Sequence, residues 1–148
     1  MIKVRLFLCA DSAAIDARTG SLSAFHIMEQ LSTPSFPVAI PRVAVVAVVT
    51  REDSDPSNLQ LQLQIFSGNQ QLFVGPMAIN FVQQVTARTV AEMHGLVVPG
   101  PGVLTFLLLN GEEKLGSWTV NINQIGQIPL QMFFPPTPPT QQQGGPLQ

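Results

Sequence analysis

Between Leu59 and Ile65 the chain alternates without a fault: Leu59, Leu61, Leu63 and Ile65 are apolar, and Gln60, Gln62 and Gln64 stand between them. A period of two puts every aliphatic side chain on one face of an extended strand and every amide on the other. An α-helix made of the same residues would spread both types around its circumference. The segment therefore calls for a β-sheet with one oily face and one polar but uncharged face. Ser67-Gly68-Asn69-Gln70 follows as a hairpin turn, since Gly and Asn tolerate positive φ. Gln71 to Val82 reads as the returning strand, with Gly75-Pro76 marking a break or bulge at a sheet edge.

The same period runs through most of the chain. Arg42 to Val49 is a β-branched run, apolar on both sides, and reads as a central strand. Pro34, Pro37 and Pro41 hold the approach to it extended and outside any ladder. Val103 to Leu109, Asn110-Gly111 and Lys114 to Ile122 form a second hairpin signature, opened by Pro99-Gly100-Pro101-Gly102. Trp118, Val120 and Ile122 share one face of its second strand and are expected to bury against an opposing sheet. Leu22 to Leu31 reads as one strand. Val82, Val85, Thr89, Met93 and Leu96 are spaced like a helical face, yet the β-branched residues and Gly95 favour a strand from Arg88 to Val98.

At the start, Ile2, Val4, Leu6 and Leu8 alternate with Lys3 and Arg5, again the period of a strand. The apolar run from Leu6 to Ala10 is shorter than the roughly 7–15 residues of a signal-peptide core. No stretch reaches the roughly 18 apolar residues of a transmembrane helix, so no membrane association is expected and the cytoplasm is the expected compartment. A length of 148 residues suits one domain. Seven or eight strands with short turns predict an all-β, antiparallel two-sheet sandwich, immunoglobulin-like, over residues 1–125. Residues 126–148 hold six of the 13 prolines and the run Gln141-Gln142-Gln143-Gly144-Gly145, the composition of a flexible Pro/Gln-rich tail. Met132-Phe133-Phe134 interrupts it as an apolar patch, expected to dock on the domain's own surface or to serve as a partner-binding motif.

Composition closes several functional routes. The net charge is −2, with one Cys and two His. A lone Cys makes no internal disulfide, and with two His it cannot complete a structural zinc site. Seven scattered basic residues form no stripe along which a phosphate backbone could lie, so nucleic acid is not an expected partner. Asp11 and Asp16 are assigned to the loop between the first two strands, where Asx turns explain them better than metal or acid–base chemistry. Glu52-Asp53-Ser54-Asp55 lacks the ligand spacing of a calcium loop and reads as a solvated turn. His26 and Glu29 point to opposite faces of a strand; Glu92 and His94 share a face with Arg88 and Val90, expected to be exposed and polar. Cys9 is expected to be buried and inert, with Asp11 raising its thiol pKa further. No nucleophile-elbow, zinc-protease, P-loop or dinucleotide signature is present, so no catalytic, cofactor or metal residues are assigned and an enzyme is not expected.

Two stretches carry a resemblance. Val4-Arg5-Leu6-Phe7-Leu8-Cys9-Ala10-Asp11, with Ile15-Asp16 and Thr19-Gly20-Ser21-Leu22-Ser23, resembles the opening of an uncharacterised family of small bacterial all-β proteins. His94 to Gly102, leading to Phe106 and Asn110-Gly111, is similar to that family's closing hairpin, although Val103-Leu104 stands where the family often has Tyr. The resemblance implies a β-sandwich and no assigned activity.

What remains distinctive is the lack of charge. Charged residues make up 11% of the chain, against roughly 25% in a typical soluble domain. Lys and Glu normally keep exposed sheets from pairing with other chains. A neutral face of Gln60, Gln62 and Gln64 offers little repulsion. The sequence thus points to a non-catalytic interaction or structural module, working in a homo-oligomer or larger assembly, with Gln60, Gln62, Gln64, Phe133 and Phe134 as candidate contact residues. The alternative is a small-ligand or carbohydrate-binding sandwich using the Asp11–Thr19 and Glu52–Asn58 loops; the absence of Tyr weakens it.

Overall fold

A computed structural model describes residues 1–126 of the chain. Nine strands run in order: β1 (Lys3–Ile15), β2 (Leu22–Ile27), β3 (Gln30–Thr33), β4 (Val38–Thr50), β5 (Asn58–Ser67), β6 (Gln70–Asn80), β7 (Thr86–Val98), β8 (Gly102–Asn110) and β9 (Glu113–Gln124). They form a four-stranded sheet ordered β2-β1-β4-β7 and a five-stranded sheet ordered β3-β9-β8-β5-β6. Every pair is antiparallel except β3–β9, which is parallel.

The alternating segment behaves as its period requires. Leu61, Leu63 and Ile65 of β5 are buried, and they meet Val43, Val45, Ala47 and Val49 of β4 in the core between the sheets. Phe81, Phe106, Leu104, Leu108, Val120 and Ile122 complete that core. Both two-residue hairpin loops put a glycine first, Gly68 at φ 57° and Gly111 at φ 61°, the requirement of a type II′ turn. The second turn is therefore Gly111-Glu112, one residue beyond the Asn-Gly pair, and Asn110 still pairs with Glu113. Arg88 to Val98 is strand throughout, within β7, because Ala91, Met93, Leu96 and Val98 turn one side into the core, across from β6.

Three expectations are corrected. Leu22 to Leu31 is not one strand. It breaks at Met28-Glu29 and changes sheets, which raises the strand count to nine and creates the parallel pair. The crossover is tied to both layers: Met28 N–H donates to Cys9 O at 2.8 Å in one sheet, and Glu29 O accepts from Asn121 N–H at 3.0 Å in the other. Trp118 Nε1 donates to Met28 O at 2.8 Å from the far sheet, closing the joint.

Pro41 lies inside β4, not outside the ladder. It is tolerated because β1 pairs with β4 only from Ala44 onward, and on the β7 side the paired register skips Pro41, between Ile40–Leu96 and Arg42–His94, where Gly95 takes φ 74°. Gly75-Pro76 makes no break either; β6 passes through it as an edge strand. The Phe73 ring lies over Gly75, where an added Cβ would come within 2.6 Å of the ring. An aromatic residue thus covers the backbone that glycine leaves bare.

The Trp118 bond gives a direct test of the joint. Trp118→Phe keeps most of the ring and removes the donor, leaving Met28 O short of a partner, so unfolding free energy should fall by about 1–3 kcal/mol. Chemical denaturation of the two proteins measures it; equal midpoints would show that the bond contributes nothing.

Candidate interaction surface

The glutamines sit on the outer face of the five-stranded sheet, as their parity demands. Gln60 and Gln62 are exposed, Gln64 is half-buried, and Gln64 Nε2 donates to Gln62 Oε1 at 2.8 Å, so the amides form a bonded strip along β5. Register shows what flanks them. Gln60 is opposite Ala78, Gln62 opposite Pro76 and Leu109, and Gln64 opposite Val74 and Leu107. One strand further, Leu107 meets Ser117 and Leu109 meets Lys114. The strip is therefore an amide ridge between apolar rails, and Lys114 is the only ionic side chain in those rows. Gln60, Gln62, Val74, Gly75, Pro76 and Gly111 border an open groove of about 500 Å³ on this face.

Alternation in β5 made the glutamines visible, but the rails were missed. The unbroken run Leu107-Leu108-Leu109 was their signal: a strand with consecutive leucines must send at least one outward. Leu108 is buried, while Leu107 and Leu109 are half-exposed on the glutamine side. Phe133 and Phe134 lie outside the described residues.

The titratable residues are spread apart. Asp16 behaves as a turn former: its Oδ1 accepts from the backbone N–H of Arg18 at 2.8 Å and of Thr19 at 2.9 Å. Those bonds, Thr19's first, hold its carboxyl below the ordinary aspartate value. Asp11, by contrast, is not in the loop. β1 continues to Ile15, and Asp11 stands in mid-strand opposite His26, with Oδ2 3.7 Å from His26 Nδ1. Both side chains are exposed, so the pair contributes little. His26 itself adopts φ 55°.

In the Glu52–Asp55 turn, Asp55 Oδ2 accepts from Glu52 N–H at 2.8 Å and lies 2.7 Å from the amino terminus. The amino terminus, and then the Glu52 N–H, hold the Asp55 carboxyl low. Arg88, Glu92 and His94 are exposed on the outer side of β7. Burial alone pushes the Cys9 thiol up to about 12, so desolvation and not a neighbouring carboxylate keeps it protonated. Among the described residues no three His, Cys, Asp or Glu side chains are grouped as metal ligands. No helix among them is long and apolar enough to cross a membrane.

A family described as "Family of unknown function (DUF6941)" matches residues 5–123, and the chain belongs to it. No curated protein matches the sequence. Solved structures are similar at low identity, among them the following three. An immunoglobulin-like protein from Pseudomonas aeruginosa shares 7% identity at a TM-score of 0.43, over 83% of this chain and 97% of that one. The Pseudomonas fluorescens alkylpurine DNA glycosylase AlkC, bound to DNA containing an abasic site analog, shares 11% at 0.42, over 82% of this chain. A β-glucosidase from Listeria innocua in complex with isofagomine shares 9% at 0.44, again over 82%. This chain spans only 30% of the glycosylase and 17% of the glucosidase. Likenesses this distant carry no chemistry across, and the sandwich stands on its own strand pairing.

Two measurements follow from the titratable groups. Native Cys9 should resist a thiol reagent at pH 8 and react only as fast as the domain unfolds; rapid labelling of folded protein would place the thiol at the surface. The Asp16 carboxyl, lowered in the fold, stabilises the turn fully above the ordinary value of about 3.9. That contribution is lost as pH falls through the lowered folded value. An NMR titration should find its midpoint below that of a free aspartate, and Asp16→Asn should lose less stability on acidification than the wild type.

Proposed function

We propose that this chain, as a member of a family without an assigned activity, is a non-catalytic binding module whose contact surface is the outer face of the five-stranded sheet. The occupant is a second copy or a protein partner within a larger assembly, in the cytoplasm. One observation carries the reading: the bonded glutamine strip, with Val74, Pro76 and Ala78 on one side and Leu107 and Leu109 on the other, presents one charge across its rows.

Such a face has apolar area to bury and amides able to donate and accept across an interface, with almost no like-charge repulsion to prevent association. Charged residues are typically depleted from the centres of protein interfaces, which is the composition found here. A carbohydrate-binding role is less favoured. Sugar sites use exposed aromatic platforms, whereas Trp118 is half-buried against the core with its Nε1 bonded to Met28 O.

Size-exclusion chromatography with light scattering at micromolar concentration tests the reading. The wild type should run as a dimer or larger species, and Gln62→Lys, which places a charge in the middle of the strip, should shift it to monomer. A monomeric wild type whose mass and stability ignore Gln62→Lys would count against this face.

A further inference from the structure

None of the nine strands lies over the outer face of the four-stranded sheet, yet that face holds a second apolar cluster. Leu8 is 6% exposed, and Ala10 and Val46 are fully buried. Val46 is flanked in register by Leu8 and Val90, with Ala13, Leu22, Ala24 and Trp118 packed around the group. The apolar surface continues outward into solvent. Leu6 is 41% exposed and Ile27, opposite Ala10, 48%. Charge on this face lies along β7, at Arg88, Glu92 and His94, and near the ends of its neighbours, at Arg42 opposite His94 and Lys3 opposite Thr50. Contiguous apolar surface of this kind marks a place where something docks.

We propose that the occupant is the chain's own C-terminal stretch, with Met132, Phe133 and Phe134 set against Leu6, Leu8 and Ile27. Residues 126–148 contain no Asp, Glu, Lys or Arg, and their apolar residues concentrate between Ile128 and Phe134. Pro129 lies within that run, and Pro135 and Pro136 close it. Prolines lack the N–H that a ladder needs, so the run suits lying across a face better than adding a strand to an edge.

The point of departure fits. Ile125 N–H donates to Thr33 O, so the chain leaves beside β3. Met28-Glu29 joins β3 to β2, which makes β2 the edge of the opposite sheet on that same flank, and β2 carries Ile27. Eight residues from Ile125 to Phe133 reach up to about 26 Å when extended. That is enough to round a flank where the layers lie about 10 Å apart. Docking uses the face opposite the glutamine strip, so it stands or falls independently of the function proposed above.

Photo-crosslinking in the full chain decides it. A benzophenone amino acid placed at Phe133 should attach to peptides holding Leu6, Leu8 or Ile27, within one chain and with a yield independent of concentration. Leu6→Lys should lower that yield several-fold. In parallel, Phe133→Ser with Phe134→Ser should raise binding of a hydrophobic dye several-fold while leaving the β-sheet circular-dichroism spectrum unchanged. Adducts on β5 or β8, adducts only between labelled and unlabelled copies, no adduct at all, or unchanged dye binding would each overturn the proposal.

Discussion

Burial of β4 on both faces is the constraint from which the rest of the architecture follows. Val43, Val45, Ala47 and Val49 face the five-stranded sheet, while Ala44 and Val46 are buried on the other side. A strand apolar on both faces cannot sit at an edge, so it takes β1 and β7 as hydrogen-bonded neighbours, and the second sheet covers its inner face. Its inner residues set the core, and its outer residues create the apolar patch. The glutamine strip of β5 belongs to the opposite surface. The two outer faces thus differ in kind: one carries an aliphatic patch with charges at its margins, and the other is lined with amides and poor in charge.

Much of this was legible in the residues because sheets impose a strict period. The inward set of β5, the central position of β4 and the Gly68-Asn69 hairpin all came from alternation and turn chemistry, while the second hairpin falls where expected but turns one residue later than Asn110-Gly111. The strand at Arg88–Val98 was legible too, since β-branched residues outweighed a spacing that also suits a helix. What escaped were events fixed by tertiary pairing. The sheet change at Met28-Glu29 depends on Cys9 O, Asn121 N–H and Trp118, all distant in sequence. Pro41 reads as a ladder breaker until its place opposite Gly95, beyond the reach of β1, is known. Asp11 reads as a loop residue because Ser12-Ala13-Ala14 is weakly patterned, yet pairing with β2 carries the strand on to Ile15.

The candidate surface was half visible. Period two marked Gln60, Gln62 and Gln64, but only the register with β6 and β8 shows Val74, Pro76, Leu107 and Leu109 beside them. Polar residues alone would suggest a solvated face; the apolar rails change its physical character. The titratable groups tell a complementary story. Asp16 and Asp55 serve turns, and Cys9 is kept protonated by desolvation. Each is accounted for by local structure, which leaves the outer faces as the parts of the chain whose composition the fold itself does not require.

Native-state hydrogen exchange, followed residue by residue, tests the central constraint most directly. If the two-sided burial of β4 organises the sandwich, the Val43–Ala47 amides should be among the slowest in the chain and open only with global unfolding. The edge strand β6 should exchange through smaller, local openings. Amides of β4 exchanging as fast as those of β6 would contradict the account.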